Sequence, residues 1–257
     1  MTQSRPDTLR LVTFNVLHGR SPATGRVDPS ALARAVRTLR PDVLALQEVD
    51  HRQPRSGGVD LTAVAADAMD APAVRFAAAL HGTGRPDDPW RRADGEDRDE
   101  RPAYGLALLS RLPVTGWSVR RLPLLQPWPA LPRPVRDEPR VALTAVIVLP
   151  GGPLGVTTTH LSRVPGWNAV QLRALRTSLA PRRAVLLGDL NLGARRARRV
   201  RGLHPLVDAL TWPSDAPTTQ LDHVLGTPDL RSAGGWASAF EVSDHRALVA
   251  EVLVSGG

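Results

Sequence analysis

Short apolar runs recur along the chain, and each has the length of a β-strand. Proline, glycine or polar residues bound the runs, as expected for strands buried in a folded core. The runs are "LRLVTFNV" (9–16), "DVLALQ" (42–47), "YGLALLS" (104–110), "RVALTAVIVL" (140–149), "PLGVTTTH" (153–160), "RAVLLGDL" (183–190) and "RALVAEVLV" (246–254).

Helical patterns lie between some of these runs. "DPSALARAVRTLRP" places Asp28 at an N-cap, Pro29 at the first helical position and Pro41 beyond the end. "DLTAVAADAMD" predicts a second helix capped by Asp60, and "NAVQLRALRTSL" (168–179) predicts a third. Strands and helices mix without a strict repeat, so we expect one α/β domain with mixed sheets over residues 1–257, with its core at about 8–255.

Two stretches have the composition of surface loops. Residues 82–103 are charged and rich in glycine and proline, and residues 123–139 are crowded with proline. The strand pattern continues across both stretches, so neither is interpreted as a domain boundary.

Composition narrows the chemistry. Hydrophobic residues make up 42% of the chain, which is ample for a core, and the net charge of +8 favours polyanionic partners or substrates. All of the 33 basic residues are arginines. The absence of cysteine excludes disulfides, thiolate zinc sites and thiol nucleophiles.

The N-terminal sequence "MTQSRPDTLRLVTFN" lacks the long apolar segment of a secretory signal. No apolar run approaches the roughly 18 residues that suggest a membrane span. We therefore expect a cytoplasmic protein without a membrane span, and nothing in the sequence indicates an obligate protein partner.

Polar side chains stand at the ends of the apolar runs or inside an apolar frame. In α/β proteins, strand ends feed the loops where catalytic and binding groups converge. The residues concerned are Asn15, Glu48, His160, Asp189, Asn191, Asp222, His223, Asp244 and His245.

Within "AVLLGDLNLG" (184–193), Asp189 and Asn191 are two residues apart. Strand alternation predicts that both side chains point to one face, and the alternative is an ordinary Asp–Asn–Gly turn. Taken singly, Asn15 or Glu48 also fits a strand-terminal turn, and His160 fits an ordinary edge histidine. The set as a whole favours a functional site.

Several sharper motifs are excluded. "DLNLG" begins like a calcium loop but places Gly193 where a third oxygen ligand belongs. "GGPLG" matches neither a dinucleotide fingerprint nor a P-loop. The chain has no G-x-S-x-G elbow and no histidine pair with the helical spacing of a zinc site.

With these blocks assembled, the chain resembles the endonuclease/exonuclease/phosphatase (DNase I-like) superfamily, specifically its general bacterial and sphingomyelinase-like branch. The resemblance runs from "TFNVLHG" to "SDHRALVAEV" (13–252), essentially the whole chain. The intervening blocks are "LALQEVD", "YGLALLSRLPV", "TTTHLS", "LLGDLNLG" and "TTQLDHVLG". Leu106 stands where the bacterial branch usually has asparagine, and "QEVD" differs from the exonuclease III class, so abasic-site repair is not the favoured activity.

The resemblance implies a four-layer α/β sandwich, in which two mixed β-sheets pack face to face with helices outside. It also implies phosphoester hydrolysis assisted by Mg²⁺ or Mn²⁺. Glu48 would be the principal metal ligand, with Asn15 and Asp244 as ligands directly or through water.

The resemblance also assigns the catalytic roles. Asp189 would hold or deprotonate the attacking water, and Asn191 would hold a phosphate oxygen. Asp222 would pair with His245, and His160 would contact the phosphate or protonate the leaving oxygen. The resemblance does not settle whether Asp189 or His245 is the base.

Directly after "DLNLG" comes "ARRARRVRG" (194–202), in which Arg195, Arg196, Arg198 and Arg199 could bind substrate phosphates. The alternative is a solvated surface. The expected substrate is DNA or RNA, and the alternatives are a lipid or inositol phosphoester of the same superfamily, or a non-catalytic binding protein that keeps the fold.

Overall fold

A computed structural model describes residues 8–93, 101–125, 137–176 and 183–254. The described residues form two β-sheets. The strands are β1 Thr8–Asn15, β2 Val43–His51, β3 Ala73–His81, β4 Arg91–Arg92, β5 Ala103–Ser110, β6 Val114–Arg121, β7 Val141–Ile147, β8 Leu154–Thr159, β9 Ala184–Asp189, β10 His204–Pro205, β11 Asp222–Gly226, β12 Arg231–Ser238 and β13 Ala247–Leu253. The helices are α1 Pro29–Leu39, α2 Leu61–Met69, α3 Trp167–Arg176 and α4 Ala194–Ala197, with single 3-10 turns at Leu17–Gly19 and Pro54–Ser56.

Both sheets are mixed. The first has seven strands in the order β12-β13-β1-β2-β5-β3-β4, and the second has six in the order β10-β11-β9-β8-β7-β6. In each sheet one central pair is parallel, β1 with β2 and β8 with β9, and the other pairs are antiparallel. The parallel pairs bring the carboxyl ends of four central strands to the same side of the molecule.

The sheets pack face to face around the largest apolar cluster. Leu11, Val43 and Leu108 of the first sheet meet Leu143 and Val185 of the second in this cluster. Alternate residues of the same strands are also buried, but under the outer helices. Because both faces of each sheet are covered, the central strands read as continuous apolar runs rather than as alternating ones.

The helices on the outside bring the number of layers to four, as the family resemblance implied. Helices α1 and α2 cover the first sheet, and α3 and α4 contribute Leu172, Leu175 and Ala197 to the cluster on the second. None of the described helices is long and apolar enough to cross a membrane.

Both predicted N-caps are confirmed. The Asp28 side chain accepts hydrogen bonds from Ser30 N and Ala31 N at the start of α1. Asp60 accepts from Thr62 N and Ala63 N at the start of α2. These carboxylates satisfy amide groups that have no partner inside the helix.

The predicted strands and helices all occur, with bounds that shift by a few residues. The third helix begins at Trp167, and residues 177–179 of its predicted span lie outside the described residues. Parts of the two predicted loops, 94–100 and 126–136, also lie outside them. The segment 91–92 in the first loop forms the short strand β4.

Candidate active site

Strand alternation assigns the candidate residues to one edge of the space between the sheets. Leu9 and Leu11 of β1 face the opposite sheet. Asn15 is an even number of residues further along the strand, so its side chain points to the same face. The same even spacing applies on three other strands, where each polar residue shares a face with core residues. These are His160 after Leu154 and Val156, Asp189 after Val185 and Leu187, and Asp222 before Val224. The core-facing side of four strands therefore ends in polar groups that converge at one edge.

Asp189 is the centre of this cluster. Its Oδ2 accepts a hydrogen bond of 3.1 Å from Asn15 Nδ2, and the same oxygen lies 3.4 Å from His160 Nε2 and 3.8 Å from His245 Nε2. Its Oδ1 accepts the backbone N–H of Asn191 at 3.0 Å. With 2% of its surface exposed, Asp189 is almost fully enclosed.

Gly188 is required for this placement. Its φ is 146°, and a Cβ at this position would collide with the backbone of Thr159 on the neighbouring strand. The absence of a side chain lets β8 and β9 approach closely just before both strands deliver catalytic candidates.

The ionisation of Asp189 is shifted by its surroundings. Burial raises the pKa of Asp189 to about 7, and the nearby Asp222 carboxylate adds to the effect. Hydrogen bonds from Asn191 and Asn15 act in the opposite direction. A carboxyl with a pKa near neutrality is suited to accept a proton from water.

His245 and Asp222 form a buried pair, as the family resemblance implied. His245 Nδ1 donates to Asp222 Oδ2 at 2.8 Å. Burial alone would lower the pKa of His245, but the Asp222 carboxylate outweighs it and raises the pKa to about 9. The ring is therefore cationic at neutral pH and turns Nε2–H toward Asp189.

His160 has the opposite character. Burial lowers the pKa of His160 well below 6.5, and the Arg140 guanidinium and His245 lower it further. Its Nε2 is buried and has no hydrogen-bond partner among the described residues, because the 3.4 Å contact with Asp189 does not have hydrogen-bond geometry. A neutral histidine with a free ring nitrogen is available to a substrate oxygen.

Glu48 reaches the same edge through a β-bulge. The register between β2 and β5 shifts between Leu46 and Val49, and Glu48 has a φ of 56°, in the left-handed region. The bulge keeps Leu46 and Val49 under the helices while it turns Glu48 to the catalytic edge, where Glu48 Oε1 accepts from Asn15 Nδ2 at 3.1 Å.

Asn191 corrects the sequence expectation of a shared strand face. Strand β9 ends at Asp189, and Asn191 has a φ of 48°, so the alternation of a strand does not apply to it. The two residues are instead joined by a tight turn, closed by the bond from Asn191 N to Asp189 Oδ1. The Asn191 side chain donates to Leu161 O at 2.9 Å.

Asp244 forms its side-chain hydrogen bond with Trp212 rather than with Asn15, Glu48 or Asp189. Its Oδ2 accepts from Trp212 Nε1 at 3.4 Å, and the half-buried carboxylate lines a groove of about 740 Å³. Three of the predicted groups, Asn15, Glu48 and Asp189, are thus linked directly, whereas Asp244 is joined to the loop that carries Trp212.

Two groups of side chains are candidates for holding a metal ion, one around Asp189 and the other around Glu48. Asp189, Asp222 and His245 offer ligand atoms within 4.8 Å of one another. The protonated His245 already compensates their charge, and its Nε2–H cannot coordinate a cation. The half-exposed Glu48 carboxylate provides the hard oxygen donors that Mg²⁺ and Mn²⁺ prefer, so the Glu48 end fits the ion better.

Asn15 contributes to the Glu48 end as a donor. Its Nδ2 group faces both carboxylates, and its Oδ1 accepts from Leu17 N at 3.2 Å. In this arrangement Asn15 orients Glu48, and direct ligation through its oxygen would require the amide to turn over.

Three residues near the site carried no distinct role in the sequence patterns. Ser243 Oγ donates to Asn15 O at 2.6 Å and accepts from His245 N at 3.0 Å, which ties two strand ends together. Arg140 lines a small cavity with Glu48 and His160, and its buried Nε has no partner among the described residues. His223 Nε2 bonds Leu192 O at 2.7 Å and fixes the loop after Asp189. The position of Ser243 directly before "DH" is the one signal that could have identified it.

The arginine segment lies beside this site on the surface. Ala197 and Val200 are buried in the cluster that contains Leu190 and Leu192, and this spacing leaves the arginines on the outer face. The predicted members are Arg195, Arg196, Arg198 and Arg199, and all four are exposed.

Comparisons with known proteins agree with this architecture. The model of the Endonuclease/Exonuclease/phosphatase family matches residues 12–245. A search of curated protein sequences finds no match. Among solved structures, an endonuclease/exonuclease/phosphatase from Beutenbergia cavernae is similar with a TM-score of 0.72 at 24% identity, covering 97% of this chain and 72% of that chain.

Two further structures are similar at lower identity. The mannosyl-6-phosphatase of Bacteroides thetaiotaomicron has a TM-score of 0.63 at 16% identity, covering 95% of this chain and 99% of that chain. Truncated TDP2 of Caenorhabditis elegans has a TM-score of 0.62 at 14% identity, covering 96% of this chain and 98% of that chain. At these identities the structures establish the shared fold.

Proposed function

The chain belongs to the endonuclease/exonuclease/phosphatase family, whose members are phosphoester hydrolases, and we propose that it cleaves phosphodiester bonds of DNA or RNA with an activated water molecule. The observation that carries the proposal is the environment of Asp189. A buried carboxyl with a pKa of about 7 has a neutral histidine at 3.4 Å and a cationic one at 3.8 Å.

Asp189 is the base in this proposal. Its Oδ2 takes one proton from the attacking water as the new oxygen–phosphorus bond forms. His245 is protonated at neutral pH because of Asp222, so it cannot take that proton. The sequence left Asp189 and His245 as alternative bases, and the charge of His245 favours Asp189.

The two histidines serve the phosphate. As the bond to the leaving oxygen breaks, negative charge grows on the phosphate oxygens and on the departing alkoxide. The cationic His245 gives its Nε2–H proton to the leaving oxygen as that bond breaks, while the neutral His160 contacts a phosphate oxygen. The proton that Asp189 took from the water then restores His245. Asn191 holds a non-bridging oxygen from the turn after β9.

Glu48 would be the principal ligand for Mg²⁺ or Mn²⁺, with Asn15 and Asp244 assisting directly or through water. When bound, such an ion neutralises phosphate charge and orients the scissile group. Asn15 holds Glu48 and Asp189 in place through its two N–H groups.

The net charge of +8 and the exposed arginines beside Asn191 support a polyanionic substrate. We therefore favour a nucleic acid over a lipid or inositol phosphoester.

A substrate panel tests the proposal. Plasmid DNA, an RNA transcript, bis-p-nitrophenyl phosphate and sphingomyelin are each incubated with Mg²⁺, Mn²⁺ or EDTA. We expect metal-dependent cleavage of DNA or RNA that is lost in Asp189→Ala. Turnover confined to sphingomyelin or to a phosphomonoester would replace the nuclease assignment. Inactivity on every phosphoester, with the Asp189→Ala protein indistinguishable from wild type, would support a binding protein that keeps the fold.

A further inference from the structure

The segment after β9 presents arginines because of its spacing. In "ARRARRVRG" the buried Ala197 and Val200 are three residues apart, and pairs of arginines flank Ala197. Apolar anchors at this spacing hold one side of the turn against the second sheet, so the guanidinium groups project outward.

A groove of about 630 Å³ opens next to this segment. We call it the arginine groove, and its lining consists of residues 193–196, 198, 208–210 and 218–220. Arg195, Arg196 and Arg198 form one wall, and the opposite wall carries Leu210, which is 47% exposed, together with two threonines.

The charge on the cationic wall is largely uncompensated. Arg198 Nη2 pairs with Asp208 Oδ2 at 2.9 Å on the surface. Arg195 and Arg196 are exposed and form no ion pair within the described part of the chain. Exposed guanidinium groups along a groove are suited to contact the phosphates of a nucleic-acid backbone.

The groove leads to the catalytic edge. Gly193 lies two residues after Asn191, and Gln220 lies two residues before Asp222, so both walls belong to catalytic segments. The segments are joined by the bond from Leu190 N to Leu221 O at 3.0 Å.

We propose that the arginine groove binds the backbone and bases of a single-stranded nucleic acid that extends away from the scissile phosphate. The guanidinium groups of Arg195 and Arg196 contact phosphates, and Leu210 on the opposite wall packs against an unpaired base. A duplex keeps its bases stacked inside and offers phosphates alone, so it cannot use the apolar wall. The inference rests on the proposed nuclease activity for its substrate class.

Binding can be measured without catalysis. A fluorescein-labelled thymidine 12-mer is titrated with the protein in EDTA, with anisotropy as the readout, over a series of NaCl concentrations. We compare wild type with Arg195→Gln/Arg196→Gln. The matched control is Arg37→Gln/Arg231→Gln, which removes the same charge from exposed positions on α1 and β12.

The groove variant is expected to bind about tenfold more weakly at ~50 mM salt, with a salt slope shallower by about 1.4, since each single-strand phosphate contact contributes roughly 0.7. The control double variant is expected to stay within about twofold of wild type. Equal losses of affinity in both double variants would indicate attraction by the net charge of the protein and would overturn the proposal that the groove binds the strand.

Three further results would also overturn the proposal. One is unchanged binding in the groove variant. Another is a 12-base-pair duplex that binds as tightly as the single strand. The third is a groove variant that no longer binds phosphatidylglycerol vesicles, which wild type binds, but still binds the 12-mer.

A kinetic readout separates this inference from the proposed function. In the groove variant, the ratio of kcat/KM for the 12-mer to kcat/KM for bis-p-nitrophenyl phosphate should fall about tenfold. If wild type hydrolyses neither substrate, the proposed function fails, and the anisotropy titration still shows whether the groove binds a single strand. If wild type hydrolyses both and the groove variant binds normally, the groove alone fails.

Discussion

Asn15 donates both N–H groups of its amide to carboxylates, one to Glu48 Oε1 and one to Asp189 Oδ2, each at 3.1 Å. The two carboxylates come from different sheets, so Asn15 fixes the spacing between the candidate metal ligand and the candidate base. Asn15 is itself held by Ser243, whose hydroxyl donates to the backbone carbonyl oxygen of Asn15.

Replacing Asn15 with alanine should therefore reduce activity more than stability. Outer partners of metal ligands typically contribute 10- to 100-fold, and we expect kcat/KM on a cleaved diester to fall by about that factor. Gln53→Ala is the matched control, since Gln53 is a buried amide that bonds Gly82 O away from the site. A similar loss of kcat/KM per folded molecule in Gln53→Ala would contradict the assignment.

Asp222→Asn should leave His245 without an anionic partner. The ring would lose the group that keeps it cationic and fixes Nδ1 as the donor, so we expect a fall in kcat of about 10²- to 10⁴-fold. Near-ultraviolet circular dichroism and the melting temperature would establish that the variant is folded. A variant with more than half of the wild-type kcat would show that the pair has no catalytic role.

Stability should depend on pH through Asp60. Burial pushes its pKa upward, but the contact with the His51 ring at 3.1 Å and the hydrogen bonds from two helix amides outweigh it and hold the pKa below 3.8. A depressed carboxyl pKa stabilises the fold above the unfolded value, and the gain is lost as pH falls through the folded value. Urea unfolding should therefore show wild type more stable than Asp60→Asn at pH 7, with the difference shrinking below about pH 4. Asp67→Asn, an exposed change on the same helix, should keep the wild-type profile, and a constant difference down to pH 3 would refute the prediction.

Arg55 and Asp50 provide a test of the packing beside Glu48. Asp50 is fully buried and accepts two bonds from Arg55, at 2.6 and 2.9 Å, while the Arg55 side chain is 41% exposed. Arg55→Met would leave a buried carboxylate unpaired. After allowance for solvent screening of Arg55, we expect a loss of about 1–3 kcal/mol in the free energy of unfolding. Arg55→Met/Asp50→Leu should recover part of that loss, and a double variant less stable than the single one would argue against this cause.

The sequence predicted the central strands, the capped helices and the order of the site residues, because burial on two faces gives continuous apolar runs. Strand β12 was not predicted, since "RSAGGWAS" is exposed, glycine-rich and lies at a sheet edge. Strands β3 and β6 were also missed, because alanine-rich or half-exposed sequences lack a clear pattern.

The details of the site depend on backbone conformations that residue patterns do not reveal. Glu48, Asn191 and Ser243 all have positive φ, so strand alternation gave the wrong relation for Asn191 and could not describe the bulge at Glu48. The contacts of Arg140 likewise arise from chain segments far apart in sequence.

The central claim is that Asp189 accepts the proton of the attacking water in phosphodiester hydrolysis. The direct test is the initial rate of bis-p-nitrophenyl phosphate hydrolysis with Mn²⁺ by wild type and by Asp189→Asn, which preserves size and removes the basic carboxylate. General-base catalysis predicts a rate lower by about 10²- to 10⁴-fold in a variant with unchanged melting temperature. An Asp189→Asn enzyme within about threefold of an active wild type would contradict the account.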